Sequence, residues 1–382
     1  NRSYKSTIVI DRLLLPRSHG GFGLTRKFGI TTENNILIMS LRYQKWLQKT
    51  LPDDYMHINN QLNANVIIPG KAENAILDTE LTEAHLELLT DITAPNILKE
   101  ARNKLYSAKA EKITKSLSAN PLNRCQAAWF RSMGAGSSSQ NSWMDQCISM
   151  KNSNYFSNGQ FTDAIRYGLG VGIYNEKQVS PIQCKLGCGK KIMVDNDPGH
   201  ATGCTKNSKT TVWRHNEIRD NYINMIKSID PIADIESEQI VGHRMTPNGP
   251  VGVRCDTLYN VGPDSYIIDF VVTNPSCKTY NTARYKAYQN VNATVLHAQK
   301  YKHVHYANCV PPIDPRRIIA FAIDATGRLG PDAKAFLFKT CGTETFRRSK
   351  FLKKVSMTCA RAVGKILNSS RVRLVLPQNG AA

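Results

Sequence analysis

The chain has 382 residues, 41% of them hydrophobic, with 50 Lys and Arg against 30 Asp and Glu and a net charge of +20. That length is enough for two or three domains with real cores, and the composition is that of a soluble globular protein. No run of eighteen apolar residues occurs, which excludes a transmembrane helix, and ten cysteines spread over so long a chain argue against a secreted disulfide scaffold. No basic-then-apolar leader opens the sequence, and because it begins at Asn1 it is read as a fragment of a longer protein. The expected compartment is reducing, the nucleus or the cytoplasm before import. A cationic surplus of this size favours a polyanionic partner, because each Lys or Arg docked on a phosphate releases a counterion. A membrane surface is the alternative, and nucleic acid with no membrane contact is the expectation.

In chain order, Leu13 to Leu24 (LLLPRSHGGFGL) places a turn at Gly20-Gly21. Asn34 to Leu51 has helical spacing, with Ile38, Leu41, Trp46 and Leu47 on one face. Residues 74–118 also read as helical, broken near Pro95. Gly134 to Ser142 (GAGSSSQNS) reads as a loop. Arg214 to Ile229 is an amphipathic helix with Ile218, Tyr222, Met225, Ile226 and Ile229 as its stripe. Strand-like runs follow at Val251 to Tyr259, Tyr266 to Val272 and Ile318 to Ile323, with a helical stretch at about Thr282 to Lys302 between the last two. The order helix, strand, strand, helix, strand predicts an α/β domain. The tail from Phe346 carries nine Lys or Arg, no acid, and a helical stripe of Leu352, Val355, Cys359, Val363 and Ile366. No internal repeat is present.

CKLGCGKKIMVDNDPGHATGC places Cys184, Cys188, His200 and Cys204 as C-x3-C-x11-H-x3-C. Zinc takes four soft or borderline donors in a tetrahedron, and two close pairs joined by a loop deliver them. Gly187 and Gly189 allow the tight turn this needs. Four protein ligands make a closed, structural site. Another soft metal has the same donor preference.

RCDTLYNVGPDSYIIDF, Arg254 to Phe270, puts Asp256 and Asp269 on the two arms of a predicted hairpin. With the turn centred between Gly262 and Pro263, the two carboxylates face each other across the strands. Carboxylates that close repel unless a cation lies between them, and a hard Mg²⁺ or Mn²⁺ takes such oxygen ligands. The bland alternative is a pair of solvated strand acids. A nearby lysine would stabilise charge on a phosphate. None lies two residues after Asp269, where Val271 stands, and the candidates are Lys286, Lys300 and Lys302.

These elements in this order resemble the C-terminal part of a non-LTR retrotransposon reverse transcriptase polyprotein of the restriction-like-endonuclease type. LLLPRSHGGFGL resembles the segment past the polymerase palm, and CKLGC with HATGC resembles the CCHC knuckle. Arg214 to Asn216 (RHN) resembles the motif opening the next helix. Asp256, twelve residues and Asp269 resemble PD-x12-D, with Cys255 in the place of the proline. His297 to Tyr301 (HAQKY) resembles the helical lysine/tyrosine motif, and Ala322 to Ala333 (AIDATGRLGPDA) the closing strand with its glycine turn. The resemblance implies a mixed fold: a helical thumb or connector region over 1–125, a linker and helix over 126–180, a CCHC zinc knuckle over 181–212, an α/β PD-(D/E)XK nuclease over 213–345 and a basic C-terminal helix over 346–382. It also implies nicking of target DNA by Mg²⁺- or Mn²⁺-dependent hydrolysis, which primes copying of the element RNA. In that scheme Asp256 and Asp269 hold the catalytic metal, Lys300 or less well Lys286 is the positive group, and Tyr301 positions it. Glu217 adds a carboxylate or is an exposed helix acid. Arg214, His215, Arg219 and Lys302 are expected to contact nucleic acid, and Arg214 and His215 alternatively pack against the knuckle. The polymerase aspartates belong upstream of Asn1, and Asp53 to Tyr55 (DDY) is expected to be a loop. The alternative function is an inactive, zinc-stabilised nucleic-acid-binding fragment of a decayed element. The sequence leaves the oligomeric state open.

Overall fold

The computed structural model describes residues 97–134, 142–145, 155–170, 182–184, 188–189, 191–192 and 198–375, with short pieces at 8–9, 12–13 and 15–22. The expected helix over Asn34 to Leu51, the stretch Asp53 to Tyr55, the front of the helical region before residue 97 and the loop 135–141 lie outside the described residues. The chain divides into two compact units, Asn1–Ser116 and Leu117–Ala382. In the first, the predicted turn is a single 3-10 turn at Arg17–His19 that ends at Gly20 with φ 84°, and the His19 ring lies 5.6 Å from that of Tyr106. Tyr106 sits on α1, Ile97–Ala119, the part of the expected helical region that is described.

The second unit contains α2 (Arg124–Gly134), α3 (Asn158–Leu169), the two-residue strands β1 (Ile182–Gln183) and β2 (Lys191–Ile192), α4 (Pro198–Gly203) and α5 (Ser208–Ile229). Then come β3 (Asp234–Ser237), β4 (Ile240–Thr246), β5 (Gly249–Arg254), β6 (Thr257–Val261), β7 (Asp264–Thr273), α6 (Ala293–Ala307), β8 (Ile318–Asp324), α7 (Pro331–Cys341) and α8 (Thr345–Val375). The unit is mixed helix and sheet, with its main sheet ordered β3-β6-β7-β8. The first two pairings are antiparallel and β7 runs parallel to β8. A parallel pair needs a crossover, and α6 is it.

Period-two alternation along β7 sorts its side chains between two layers of helices. Ile268 and Phe270 join Ile218, Tyr222 and Ile226 of α5, Phe336 and Leu337 of α7, and Phe351, Val355 and Cys359 of α8 in one core. Ile267 packs on the opposite face with Tyr306 at the end of α6, where Val295 and Ala298 of α6 meet Ala322 of β8. Asp269 falls on this second face, although its position is a core position. The stripe read along the tail is what seats α8, and the described part of the basic helix expected over 346–382 packs in this core. Its Gly364 is required: a Cβ there would lie 2.5 Å from the Gln160 carbonyl oxygen of α3. Helix α3 starts with a capping box between Ser157 and Gln160.

Three differences from the sequence reading have local causes. Strands β3 and β4 and helix α7 went unassigned; β3 is only four residues long and β4 has a single buried position. The stretch expected to be helical from Thr282 is irregular up to Asn292, and Lys286 there takes φ 48°, so the helix starts and ends later than expected. The region 126–180, expected as a linker and a helix, holds described parts of two helices, α2 and α3, and Ser132 of α2 bonds the buried Asp324 at the end of β8. Asp324 also accepts from the Thr326 backbone N–H at 3.0 Å and from Arg328 Nε at 3.0 Å. Arg328 Nη1 in turn donates to Asn292 at 2.6 Å. This paired network holds α2 against the glycine turn that closes β8.

Candidate functional site

The cysteine–histidine cluster forms from the pattern read in sequence. Cys184 follows β1, Cys188 precedes Gly189 at φ 75°, and α4 carries His200 with Cys204 just beyond it. Gly187 lies outside the described residues. The four donor atoms all lie within 4.8 Å of one another. Cys184 Sγ and Cys204 Sγ are 3.9 Å apart, and Cys188 Sγ is 3.4 Å from His200 Nε2. Two thiolates on one tetrahedral zinc, each at ~2.3 Å, are themselves about 3.8 Å apart, so the donor set fits a single zinc ion and fills its coordination. Burial pushes the Cys204 thiol up to about 11, and a cation is what would let it ionise. A buried polar cluster ties this knuckle to the loop after β7. Asn274 Nδ2 donates to Thr202 Oγ1 at 2.5 Å, and Ser276 Oγ donates to Asn274 Oδ1 at 2.9 Å. The Tyr167 hydroxyl of α3 bonds both Thr202, at 3.1 Å, and Ser276.

The acid pair forms at the open end of the β6–β7 hairpin. The turn is centred between Gly262 and Pro263, and Val261 pairs with Asp264. Gly262 supplies φ 56°, the sign that the first central residue of a tight hairpin turn needs. The register runs back to Thr257 opposite Ile268, and one step further sets Asp256 opposite Asp269, as the turn position predicts. The two carboxyl groups lie close enough to shift one another's proton affinity. Asp256 Oδ2 accepts from the Phe270 backbone N–H at 2.7 Å, and its Oδ1 lies 3.1 Å from His215 Nε2 of α5. Asp269 is 4% exposed. Lys302 Nζ lies 2.8 Å from each of its oxygens, and the Tyr306 hydroxyl donates to Oδ2 at 2.9 Å.

This arrangement pushes the two acids apart. Burial lifts Asp269 from the model-compound 3.8 to about 6, reinforced by the facing Asp256 and opposed by Lys302. Burial also works to raise Asp256, but hydrogen bonds from His215 and Asp269 outweigh it, and Asp256 ends below its ordinary range. Burial and the adjacent Asp269 push the Tyr306 hydroxyl well up, so it remains a donor. Burial holds the Cys255 thiol up at about 11, so the residue in the place of the proline is an inert core thiol. Two facing carboxyl groups, one with its proton affinity raised by burial, are an oxygen donor set that a divalent cation fits.

The remaining predicted residues fall elsewhere. Lys300 and Tyr301 are exposed on α6, and Lys286 sits in the preceding loop. Helical phase explains this: Val295, Ala298, Gln299, Lys302 and Tyr306 repeat at three and four residues and form the sheet-facing side, whereas 300 and 301 point away. Lys302, one of the three candidate lysines and the one assigned instead to nucleic acid, is therefore the lysine at Asp269. His215, expected on nucleic acid or the knuckle, bonds Asp256 instead. Arg214 is 5% exposed, close to Cys359, and so is closed off from any partner. Arg219 is occupied by Asp220 at 2.9 Å and Glu238 at 2.6 Å. Glu217 points the other way from His215 around α5, toward Arg361 and Lys365 of α8. Tyr306 was missed by the sequence reading, although its i+4 spacing from Lys302 is the signal that would have found it. No protein-family model matches this chain, and no curated protein matches it either.

Proposed function

We propose that residues 117–382 act as a metal-dependent DNA endonuclease that nicks one strand, with the zinc knuckle as a structural support. In the retrotransposon setting that the sequence resembles, the nick supplies the 3′ hydroxyl that primes copying of the element RNA. The observation that carries the reading is the grouping of Asp256, Asp269 and Lys302: two acids set opposite one another by the hairpin register, with an ammonium 2.8 Å from the second. A solvated pair of strand acids has no reason for one member to be buried against a lysine.

In this reading Asp256 and Asp269 hold Mg²⁺ or Mn²⁺. Such an ion, when bound, polarises the phosphate and lowers the pKa of a water. The protein's own groups do the rest. His215 and the Phe270 N–H hold Asp256 in orientation from two sides. Tyr306 fixes the rotamer of Asp269 and keeps its own proton. Lys302 places a positive charge beside the acids, where it stabilises charge that builds up on the phosphate oxygens. Cys184, Cys188, His200 and Cys204 leave no open coordination position and take no part in hydrolysis.

The test is conversion of supercoiled plasmid to open circles with Mg²⁺ or Mn²⁺. The wild type is expected to nick, and Asp269→Ala to be slower by at least about 10²–10³-fold, the scale of removing one electrostatic group from a reacting centre. Retardation of the plasmid without nicking by the wild type overturns the proposal and leaves a binding module.

A further inference from the structure

Strands β4 and β5 form a ribbon that belongs to neither other sheet. It is stitched down at its base, where the His243 N–H donates to the Val310 carbonyl at 2.9 Å and the Val310 N–H returns a bond at 2.7 Å. Beyond Gly242 and Val253 both faces are open. Arg244, Met245, Pro247, Asn248, Pro250, Val251 and Gly252 are all exposed, with Met245 at 66% and Val251 at 50%. A two-stranded hairpin is marginal by itself, and apolar side chains on both faces of one mark a contact surface.

The charge on the ribbon selects the partner. From Ile240 to Arg254 there are two arginines, one histidine and no acid. Arg254 is held by Glu238 at 3.2 Å, whereas Arg244 pairs with no described carboxylate. Arg244 and Lys302 both act on His305 of α6, so positive charge continues from the ribbon to the lysine at Asp269. Strand β5 also runs directly into Cys255 and Asp256. Arg244 and Val251 are cross-strand partners and so share a face.

We propose that this ribbon docks in the major groove of double-stranded DNA beside the cleaved phosphate, with its Arg244–Val251 face toward the duplex. The major groove of B-form DNA is about 12 Å wide and admits a two-stranded ribbon, whereas the deep, narrow major groove of A-form RNA does not. Val251 meets base edges and thymine methyl groups, and Arg244 meets a phosphate. The inference rests on the endonuclease reading only for the position of the cut strand relative to the ribbon.

The test uses the full chain, a B-form duplex of random sequence and Mg²⁺-free buffer. Arg244→Ala with Val251→Ala is expected to weaken binding about tenfold or more. It should also lower the slope of log affinity against log salt by about 1, and abolish protection of guanine N7 from dimethyl sulfate. Met245→Ala, on the opposite face, is expected to change affinity less than about twofold. Unchanged affinity and N7 protection in the double variant overturn the proposal, as does an equal loss on an A-form RNA duplex. If the wild type nicks plasmid while the double variant binds normally, only the ribbon assignment fails. If the wild type does not nick but the footprint depends on the ribbon, only the endonuclease reading fails.

Discussion

The knuckle and the acid pair are both groupings of candidate metal ligands, but they are assembled over different distances along the chain. All four knuckle donors come from one stretch between Cys184 and Cys204, and their atoms lie within 4.8 Å of one another. The acid site draws on α5 for His215, on both arms of a hairpin for Asp256 and Asp269, and on α6 for Lys302 and Tyr306. The first is closed by ligand spacing, and the second exists only when a helix on each side of the sheet has docked. A local site is specified by its turns, and a distributed one inherits its geometry from the whole core.

The largest effect should come from breaking the local site. Cys184→Ala is expected to lower bound zinc from one per chain to near zero, measured by elemental analysis. It should also cost a large part of the ~10–16 kcal/mol that zinc supplies to small zinc-folded modules. Because Asn274 and Ser276 tie the knuckle to the loop after β7, thermal unfolding of the β3-β6-β7-β8 core should move down as well. An unchanged core transition would make the two regions independent, and full retention of metal would reject the ligand set.

Next comes the lysine. Lys302→Met is expected to slow nicking by about 10²–10³-fold, while Lys300→Met and Lys286→Met stay within about twofold. The reverse pattern would mean that the helix docks in another phase when DNA is bound.

A smaller effect concerns stability. The folded, Mg²⁺-free protein keeps a proton on Asp269 up to about pH 6 that the unfolded chain releases above its ordinary 3.8. The stability this contributes is complete below the unfolded value and is lost as pH rises through about 6, a decline on the order of 3 kcal/mol. Melting temperatures of the wild type across that window should fall more steeply with pH than those of Asp269→Asn. Parallel slopes would mean that Asp269 does not keep the proton.

Much of the fold was legible because its signals are short-range. The Gly262-Pro263 turn and a count of residues sufficed to set Asp256 against Asp269, since a hairpin register follows from its turn. The stripe from Leu352 to Ile366 reported that α8 packs. The irregular stretch after Thr282 was not legible, and shifting the start of α6 displaced the expected lysine and tyrosine.

By itself the amino-acid sequence determined the cysteine–histidine donor set, the facing acids, the mixed helix and sheet order and the cationic character, all consequences of neighbours along the chain or of composition. The tertiary structure alone decided that Lys302 and Tyr306 rather than Lys300 and Tyr301 reach Asp269, that His215 rather than Glu217 reaches Asp256, and that Arg214 is buried. The reason is physical. Spacing defines which residues share a helix face, but which face meets the sheet depends on how the apolar side chains of two layers interdigitate, and that is a property of the packed core.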